Sequence, residues 1–120
     1  METLIVQETD QDILEIVCIA LEIEGFKVCA VLGYDTDFIA LIEKEVPHVV
    51  MLDYRLEGAE CIAICREIKA RYPQLPVIAA SCNNNIHILY QEHGFDDNLC
   101  KPFDIDLLYR VLRKHIHKPD

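Results

Sequence analysis

Apolar residues follow two patterns along the chain: short continuous runs, and longer stretches in which they recur every three or four positions. The short strand candidates are 4–6, 27–31, 49–52, 76–80 and 98–100, of which 27–31 and 98–100 begin with the polar residues Lys27 and Asn98. The periodic stretches are 10–24, 35–44, 60–71, 86–93 and 104–117. Continuous runs are typical of strands that are buried on both faces, and the longer period is typical of helices with one apolar side. The pattern therefore predicts strand and helix in regular alternation.

Capping residues mark several helix ends. Asp10 or Asp12 is a candidate N-cap for the first helix, and Asp104 for the last, because a carboxylate accepts from the free N–H groups of a first turn. Gly25 and Gly94 follow the first and fourth helices, where a glycine commonly ends a helix. On a helical wheel, the buried side of the first helix is predicted to comprise Ile13, Ile16, Val17 and Ala20, with Leu14, Cys18 and Ile19 widening the apolar arc.

Alternating strands and helices give a parallel sheet with helices on both faces. Right-handed crossovers leave few ways to connect such a sheet. For 120 residues we expect a flavodoxin-like α/β fold. Its doubly wound five-stranded parallel sheet is expected to have the order 2-1-3-4-5, within a single domain spanning residues 1–120.

Composition excludes several classes of protein. The chain has 21 acidic and 11 basic residues, a formal net charge of −10, so nucleic acid is not an expected partner. No apolar run is long enough to cross a membrane, and the N-terminus lacks the basic start of a secretion signal. Cysteines 18, 29 and 100 lie within apolar segments, where a small hydrophobic residue would fit. We therefore expect reduced thiols and a cytoplasmic protein.

Polar residues follow four of the predicted strands. The first strand is followed by residues 7–10, the third by Asp53, the fourth by Ser81 and the fifth by Lys101. Because parallel strands present their carboxyl ends at one edge, these side chains are expected to converge there. A carboxylate can attack a phosphoryl group, neighbouring acids can hold Mg²⁺, and a hydroxyl and a lysine can bind phosphoryl oxygens. The set predicts phosphoryl chemistry.

From end to end the sequence resembles a response-regulator receiver domain. The segments that carry the resemblance are 4–6, 10–17, 24–28, 49–53, 56–60, 76–81 and 94–103. The resemblance implies that Asp53 accepts a phosphoryl group from a phosphohistidine on a sensor histidine kinase or a histidine phosphotransfer protein. It implies that Ser81 and Lys101 bind that phosphoryl group, and that the bond between Lys101 and Pro102 is cis.

The resemblance also implies a Mg²⁺ site built from oxygen ligands: Glu8, Asp53, the backbone carbonyl of Arg55, and either Thr9 or Asp10. The family carries two adjacent acids after its first strand. Without a gap those positions fall on Glu8 and Thr9, and with a one-residue shift they fall on Gln7 and Glu8. Either alignment leaves a single acid, so Mg²⁺ is expected to bind weakly. The Arg55 side chain could instead pair with Glu8.

Three further positions depart from the family pattern. Asn98 stands where the family usually has Tyr or Phe on its fifth strand, Glu57 replaces a frequent Pro, and Cys61 a frequent Gly. The missing aromatic ring predicts only small movements upon activation. The wide apolar arc of the first helix has two interpretations: broad contact with neighbouring loops, or a docking surface for a four-helix phosphotransfer partner.

These observations predict a receiver domain that is not an enzyme and that signals by binding partners, with homodimer formation left open. The alternative is a degenerate receiver that acts as a phosphorylation-independent interaction module. An enzyme on the same fold is less well supported. A flavin carrier would need a phosphate-binding loop rich in Ser, Thr and Gly after the first strand. An aspartate-dependent phosphatase would need a second Asp where Arg55 stands.

Overall fold

The computed structural model describes residues 1–116, and these contain five strands and five helices in alternation. The strands are β1 (Thr3–Glu8), β2 (Lys27–Leu32), β3 (Val49–Asp53), β4 (Val77–Ser81) and β5 (Asp97–Cys100). The helices are α1 (Gln11–Ile23), α2 (Phe38–Glu45), α3 (Ala59–Arg71), α4 (Ile86–Glu92) and α5 (Ile105–His115). The strands form one parallel sheet in the order β2-β1-β3-β4-β5, which confirms the predicted fold class and strand order.

The central strands separate two apolar layers. Every residue of β1, β3 and β4 is buried, as the continuous apolar run 49–52 predicts for β3. This burial includes polar residues at the strand ends. Leu4 and Val6 pack on the side of α1 and α5, whereas Ile5 packs on the side of α2, α3 and α4. None of the helices within residues 1–116 is long and apolar enough to cross a membrane.

Local hydrogen bonds fix the helix ends. The Asp10 side chain accepts from the first turn of α1, and Gly25 follows that helix with φ of 102°, so both assignments are confirmed. Asp104 caps α5 as predicted. The prediction that α2 begins at Asp35 is wrong, because Asp37 accepts from the Ala40 N–H and thereby starts the helix at Phe38. The predicted end of the last helix at His117 lies outside the described residues.

The predicted burial of α1 is partly wrong. Ile13 and Ile16 are 37% and 64% exposed. The buried residues of this helix are Leu14, Val17, Cys18 and Leu21. These four have the spacing i, i+3, i+4, i+7, and the exposed isoleucines form a second apolar stripe beside them. Hydrophobicity alone does not distinguish the two stripes, because the sheet contacts only one of them.

The six cysteines, all within the described residues, are free thiols in different surroundings. Cys61 and Cys65 are completely buried between α3 and the sheet. Cys29 is only partly buried, and Cys100 is exposed, so its predicted place as a small core residue is wrong. Its strand, β5, is an edge of the sheet, where helices cover the side chains less completely.

The sheet divides at its carboxyl edge. β1 stays paired with β2 as far as Glu8 opposite Leu32, and β3 stays paired with β4 as far as Asp53 opposite Ala80. The pairing of β1 with β3 already ends at Val6 opposite Met51. A crevice therefore opens between β1 and β3, where the strand order reverses and where open α/β sheets bind ligands.

Candidate phosphoryl-acceptor site

A cavity of about 650 Å³ lies at this crevice. All of the candidate site residues line it: Glu8, Thr9, Asp10, Asp53, Arg55, Ser81 and Lys101. They come from the ends of β1, β3, β4 and β5 and from the loops that follow. The expectation that strand-end side chains converge at one edge of the sheet therefore agrees with the geometry of the described residues.

Asp53 lies at the centre of the site and is only 3% exposed. Its Oδ1 atom accepts from the Lys101 ammonium at 2.8 Å, and its Oδ2 atom accepts from the Thr9 hydroxyl at 2.5 Å. A buried carboxylate is stable when it is paired and hydrogen-bonded, and both conditions are met here. Each of the two carboxylate oxygens therefore accepts one side-chain hydrogen bond.

Lys101 joins the two buried carboxylates. Its Nζ atom is 2.7 Å from Oε2 of Glu8, and Oε1 of Glu8 accepts from the backbone N–H groups of Thr9 and Asp10 at 2.9 and 3.3 Å. Burial lowers the pKa of Lys101, but the hydrogen bonds and charges of Asp53 and Glu8 outweigh it, so that the pKa is raised. Lys101 is therefore an ammonium at neutral pH. The bond between Lys101 and Pro102 is cis.

The remaining candidates line the rim. Arg55 has an exposed side chain and its carbonyl accepts from the Gly58 N–H at 2.8 Å. The alternative pairing of Arg55 with Glu8 is not formed in the described residues, where the cation bound to Glu8 is Lys101. Asp10 uses its carboxylate to cap α1. The buried Ser81 hydroxyl accepts from the Asn83 N–H at 3.0 Å.

Gln7, which the sequence placed at this edge without a role of its own, and Tyr34, which sequence reasoning did not select, contact the backbone of Asp53. Oε1 of Gln7 accepts from the Asp53 N–H at 2.8 Å, and the Tyr34 hydroxyl donates to the Asp53 carbonyl at 2.5 Å. Burial raises the pKa of Tyr34 strongly, and the charge of Asp53 raises it further. Tyr34 follows β2 at the carboxyl edge of the sheet, and this position in the sequence could have marked it as a candidate site residue.

The site offers the hard oxygen ligands that Mg²⁺ prefers: two carboxylates, a hydroxyl and a carbonyl. All four groups already form hydrogen bonds. Lys101 donates to both carboxylates, the Thr9 hydroxyl donates to Asp53, and the Arg55 carbonyl accepts from the Gly58 N–H. Two carboxylates and one ammonium leave a single negative charge. Residues 1–116 contain no metal-type cluster of three or more His, Cys, Asp or Glu side chains. The residues fit Mg²⁺ in chemistry, but internal contacts compete with it.

A doubly wound parallel sheet whose crevice brings together a buried carboxylate, a serine and a lysine defines a flavodoxin-like α/β protein with a site suited to phosphoryl groups. The family model described as the response regulator receiver domain matches residues 4–113. The chain belongs to this family.

Solved structures agree with this assignment. A response regulator receiver domain protein from Clostridium thermocellum aligns with a TM-score of 0.84 at 23% identity, over 97% of this chain and 94% of that one. The receiver domain of NtrX from Brucella abortus aligns with a TM-score of 0.79 at 30% identity, over 93% and 96%. TrrA from Thermotoga maritima, in complex with Mg²⁺ and BeF, aligns with a TM-score of 0.83 at 17% identity, over 97% and 100%.

Proposed function

We propose that this chain is a phosphoacceptor that signals by binding partners, as a single domain over residues 1–120 working in the cytoplasm. Asp53 accepts the phosphoryl group from a phosphohistidine on a sensor histidine kinase or a histidine phosphotransfer protein. An oxygen of Asp53 bonds to phosphorus as the bond between phosphorus and the imidazole nitrogen breaks, and the electron pair stays on that nitrogen. The observation that carries the proposal is the buried Asp53 carboxylate facing a 650 Å³ cavity, with a lysine on one oxygen.

Lys101 and Ser81 would bind the incoming group. Lys101 already contacts Asp53 and would stabilise negative charge on the phosphoryl oxygens. The Ser81 hydroxyl accepts a hydrogen bond from Asn83, so its own proton is available to donate to a phosphoryl oxygen. Mg²⁺ would be held by Glu8, Asp53, Thr9 and the Arg55 carbonyl, with Asp10 at the rim. When bound, the metal neutralises phosphoryl oxygens.

Incubation with acetyl phosphate and Mg²⁺ tests the proposal. Mass spectrometry of the intact protein should show the addition of one phosphoryl group, and borohydride trapping followed by peptide mapping should locate it at Asp53. The same incubation with EDTA in place of Mg²⁺ measures the contribution of the metal. Absence of any adduct with Mg²⁺, with acetyl phosphate and with phosphoramidate alike would reject the phosphoacceptor function.

The exposed isoleucines of α1, at positions 13, 16, 19 and 23, form an apolar stripe that offers a surface for the phosphohistidine donor. Ile16, Ile19 and Ile23 of this stripe are 60% exposed or more. Beside it runs an apolar groove of about 330 Å³, lined by residues of α1 and of the segment after β5: Ile13, Ile16, Val17, Phe103 and Ile105. Lys101 and Cys82 line both this groove and the acceptor cavity. A helical partner seated here would therefore lie next to Asp53.

Ile16→Asp is expected to slow transfer from a phosphohistidine protein by about tenfold or more, because burial of one isoleucine contributes about 1.5–3 kcal/mol. The rate with acetyl phosphate should not change. The matched control is Ile88→Asp on α4, since Ile88 is 63% exposed and Ile16 is 64% exposed. Transfer is measured against a panel of phosphorylated kinases and phosphotransfer proteins. An equal effect of both substitutions would exclude α1 as the docking surface.

The second candidate function is a phosphorylation-independent interaction module. Two observations favour it: the Thr9 hydroxyl holds one oxygen of Asp53, and β1 ends in one acid rather than two. This function predicts that Asp53→Asn leaves partner binding unchanged. The phosphoacceptor function predicts that partner affinity depends on the phosphorylation of Asp53.

Activation is expected to cause only local changes. Asn98 lacks an aromatic ring that could move when Ser81 turns towards the phosphoryl group. α5 is also tied to α1, because the Tyr109 hydroxyl donates to the Ala20 carbonyl at 2.8 Å and Arg113 pairs with Glu24. Amide shifts upon addition of beryllofluoride should therefore remain near Asp53, Ser81 and Lys101. Large shifts that reach Tyr109 or Arg113 would contradict this prediction.

A further inference from the structure

The division of the sheet leaves the backbone N–H and C=O groups of Asp53 without hydrogen-bond partners in β1, although Asp53 still lies opposite Ala80 of β4. In a parallel strand, alternate residues direct their backbone groups to opposite neighbours, and the Tyr54 N–H donates to Ala80 of β4 at 2.8 Å. The N–H and C=O groups of Asp53 therefore face β1, whose pairing with β3 has already ended at Val6 opposite Met51. Buried backbone groups require hydrogen-bond partners, so side chains must supply them here.

Gln7 satisfies the N–H group of Asp53. It is 1% exposed, and its Oε1 atom accepts from that N–H at 2.8 Å. Its Nε2 atom is buried and has no hydrogen-bond partner among the described residues. An unsatisfied buried donor lowers stability. The unpaired Nε2 group of Gln7 therefore costs stability, whereas its Oε1 atom satisfies the backbone N–H of Asp53.

Tyr34 satisfies the carbonyl group of Asp53. Its hydroxyl donates to that oxygen from the loop after β2, although β1 lies between β2 and β3 in the sheet. The start of this loop is joined to the end of β1, because the Gly33 N–H donates to the Glu8 carbonyl at 2.8 Å. Gly33 has φ of 84°, a conformation that favours glycine. The raised pKa of Tyr34 keeps its hydroxyl protonated, so it remains a donor.

We propose that Gln7 and Tyr34 are positioning residues that hold the Asp53 peptide in the opened sheet and so aim its carboxylate into the acceptor cavity. The inference rests on the proposed role of Asp53 as the phosphoacceptor. Hydrogen bonds to both backbone groups of one residue restrict its two backbone torsions, and these set the direction of its side chain. Accurate aim matters for rate, since displacement of a reacting group by about 1 Å can cost about 10²-fold.

Tyr34→Phe tests the inference, with Tyr109→Phe as its matched control. Both substitutions remove a tyrosine hydroxyl that donates to a backbone carbonyl, but Tyr109 contacts Ala20 on α1. Tyr34→Phe should average the χ1 torsion of Asp53, seen in three-bond NMR couplings of the unphosphorylated protein. It should also slow phosphorylation by acetyl phosphate about fivefold, the size expected for one hydrogen bond. Tyr109→Phe should change neither measurement.

Gln7→Met gives a second test, because methionine has a similar shape but no amide oxygen. It should also average the Asp53 couplings. If Gln7→Met prevents folding, the couplings of Tyr34→Phe alone decide whether the backbone contacts position Asp53. Unchanged Asp53 couplings in Tyr34→Phe, or equal changes in Tyr109→Phe, would overturn the positioning role. A wild-type protein that acetyl phosphate does not modify would reject the phosphoacceptor function, and the couplings would still decide whether the two residues position Asp53.

Discussion

Asp53→Asn is expected to abolish phosphorylation by acetyl phosphate and by phosphohistidine donors. The amide oxygen of asparagine carries no full negative charge and is a much weaker nucleophile than a carboxylate. Glu8, also a buried carboxylate of the cavity, accepts from Lys101 and from two backbone N–H groups, and we expect it not to take over the reaction. Intact-protein mass spectrometry should show no added phosphoryl group in the variant.

The variant should remain folded. The amide oxygen of asparagine can accept from Lys101, and its NH₂ group can donate to the Thr9 hydroxyl, so both side-chain contacts of Asp53 have replacements. The backbone contacts with Gln7 and Tyr34 do not depend on the carboxylate. The melting temperature should therefore stay within about 5 °C of the wild type, a range equivalent to roughly 1 kcal/mol.

Asp97→Asn provides the matched control. Asp97 is also a buried strand carboxylate, and it pairs with His115 at 2.8 Å and Lys114 at 3.1 Å. It lies at the start of β5, opposite Ile78, and so at the far end of the sheet from the cavity. This control should lose about 1.5–3 kcal/mol of stability and keep its phosphorylation. Label that persists on Asp53→Asn would show that another residue is the acceptor.

The sequence predicts the fold well because buried parallel strands appear as uninterrupted apolar runs. Residues 49–52 are such a run, and β3 is buried throughout. The wrong predictions concern the buried face of α1 and the first residue of α2, which the pattern of apolar and polar residues does not determine. Ile16 and Leu14 are equally apolar, and only the packing of α1 against the sheet separates the exposed residue from the buried one. The chain also offers two acids before α2, and the hydrogen bond that Asp37 accepts from the Ala40 N–H decides where the helix begins.

The site is predictable where it depends on strand ends and not where it depends on the division of the sheet. Asp53 and Lys101 follow from the rule that parallel strands present their carboxyl ends together. The contact of Tyr34 with Asp53 does not follow, because it requires β1 and β3 to separate and the Tyr34 side chain to reach from the end of β2 to β3. The sequence also left two alignments of Glu8 open. In the structure Glu8 contacts Lys101, and Thr9 contacts Asp53.

Thr9→Asp is expected to tighten Mg²⁺ binding by at least about tenfold. The Thr9 hydroxyl lies 2.5 Å from Asp53, so a carboxylate at this position would add a second negative charge beside that of Asp53. One pair of unit charges about 4 Å apart interacts by about 4 kcal/mol at an effective dielectric of about 20. A divalent ion raises this value and water lowers it. Even half of it exceeds the roughly 1.4 kcal/mol that corresponds to tenfold in affinity.

The substitution should also destabilise the metal-free protein, and this effect favours Mg²⁺ binding as well. It removes the hydroxyl that donates to Asp53 Oδ2 and sets a third carboxylate near Asp53 and Glu8. Within residues 1–116, Lys101 is the cation that bridges those two carboxylates. Repulsion between the carboxylates should lower stability without metal, and Mg²⁺ should relieve it. The rise in melting temperature upon addition of Mg²⁺ should therefore be larger in Thr9→Asp than in the wild type.

Thr9→Asn separates charge from shape, because asparagine matches aspartate in size and is neutral. Mg²⁺ titrations followed by the amide shifts of Asp53, Ser81 and Lys101 should show tightening in Thr9→Asp alone, together with faster phosphorylation by acetyl phosphate. If Thr9→Asp changes nothing and Glu8→Gln abolishes binding, Glu8 is the direct ligand and the shifted alignment holds. If no variant binds Mg²⁺ and none is phosphorylated, the carboxylates serve only to hold Lys101, and the chain is an interaction module.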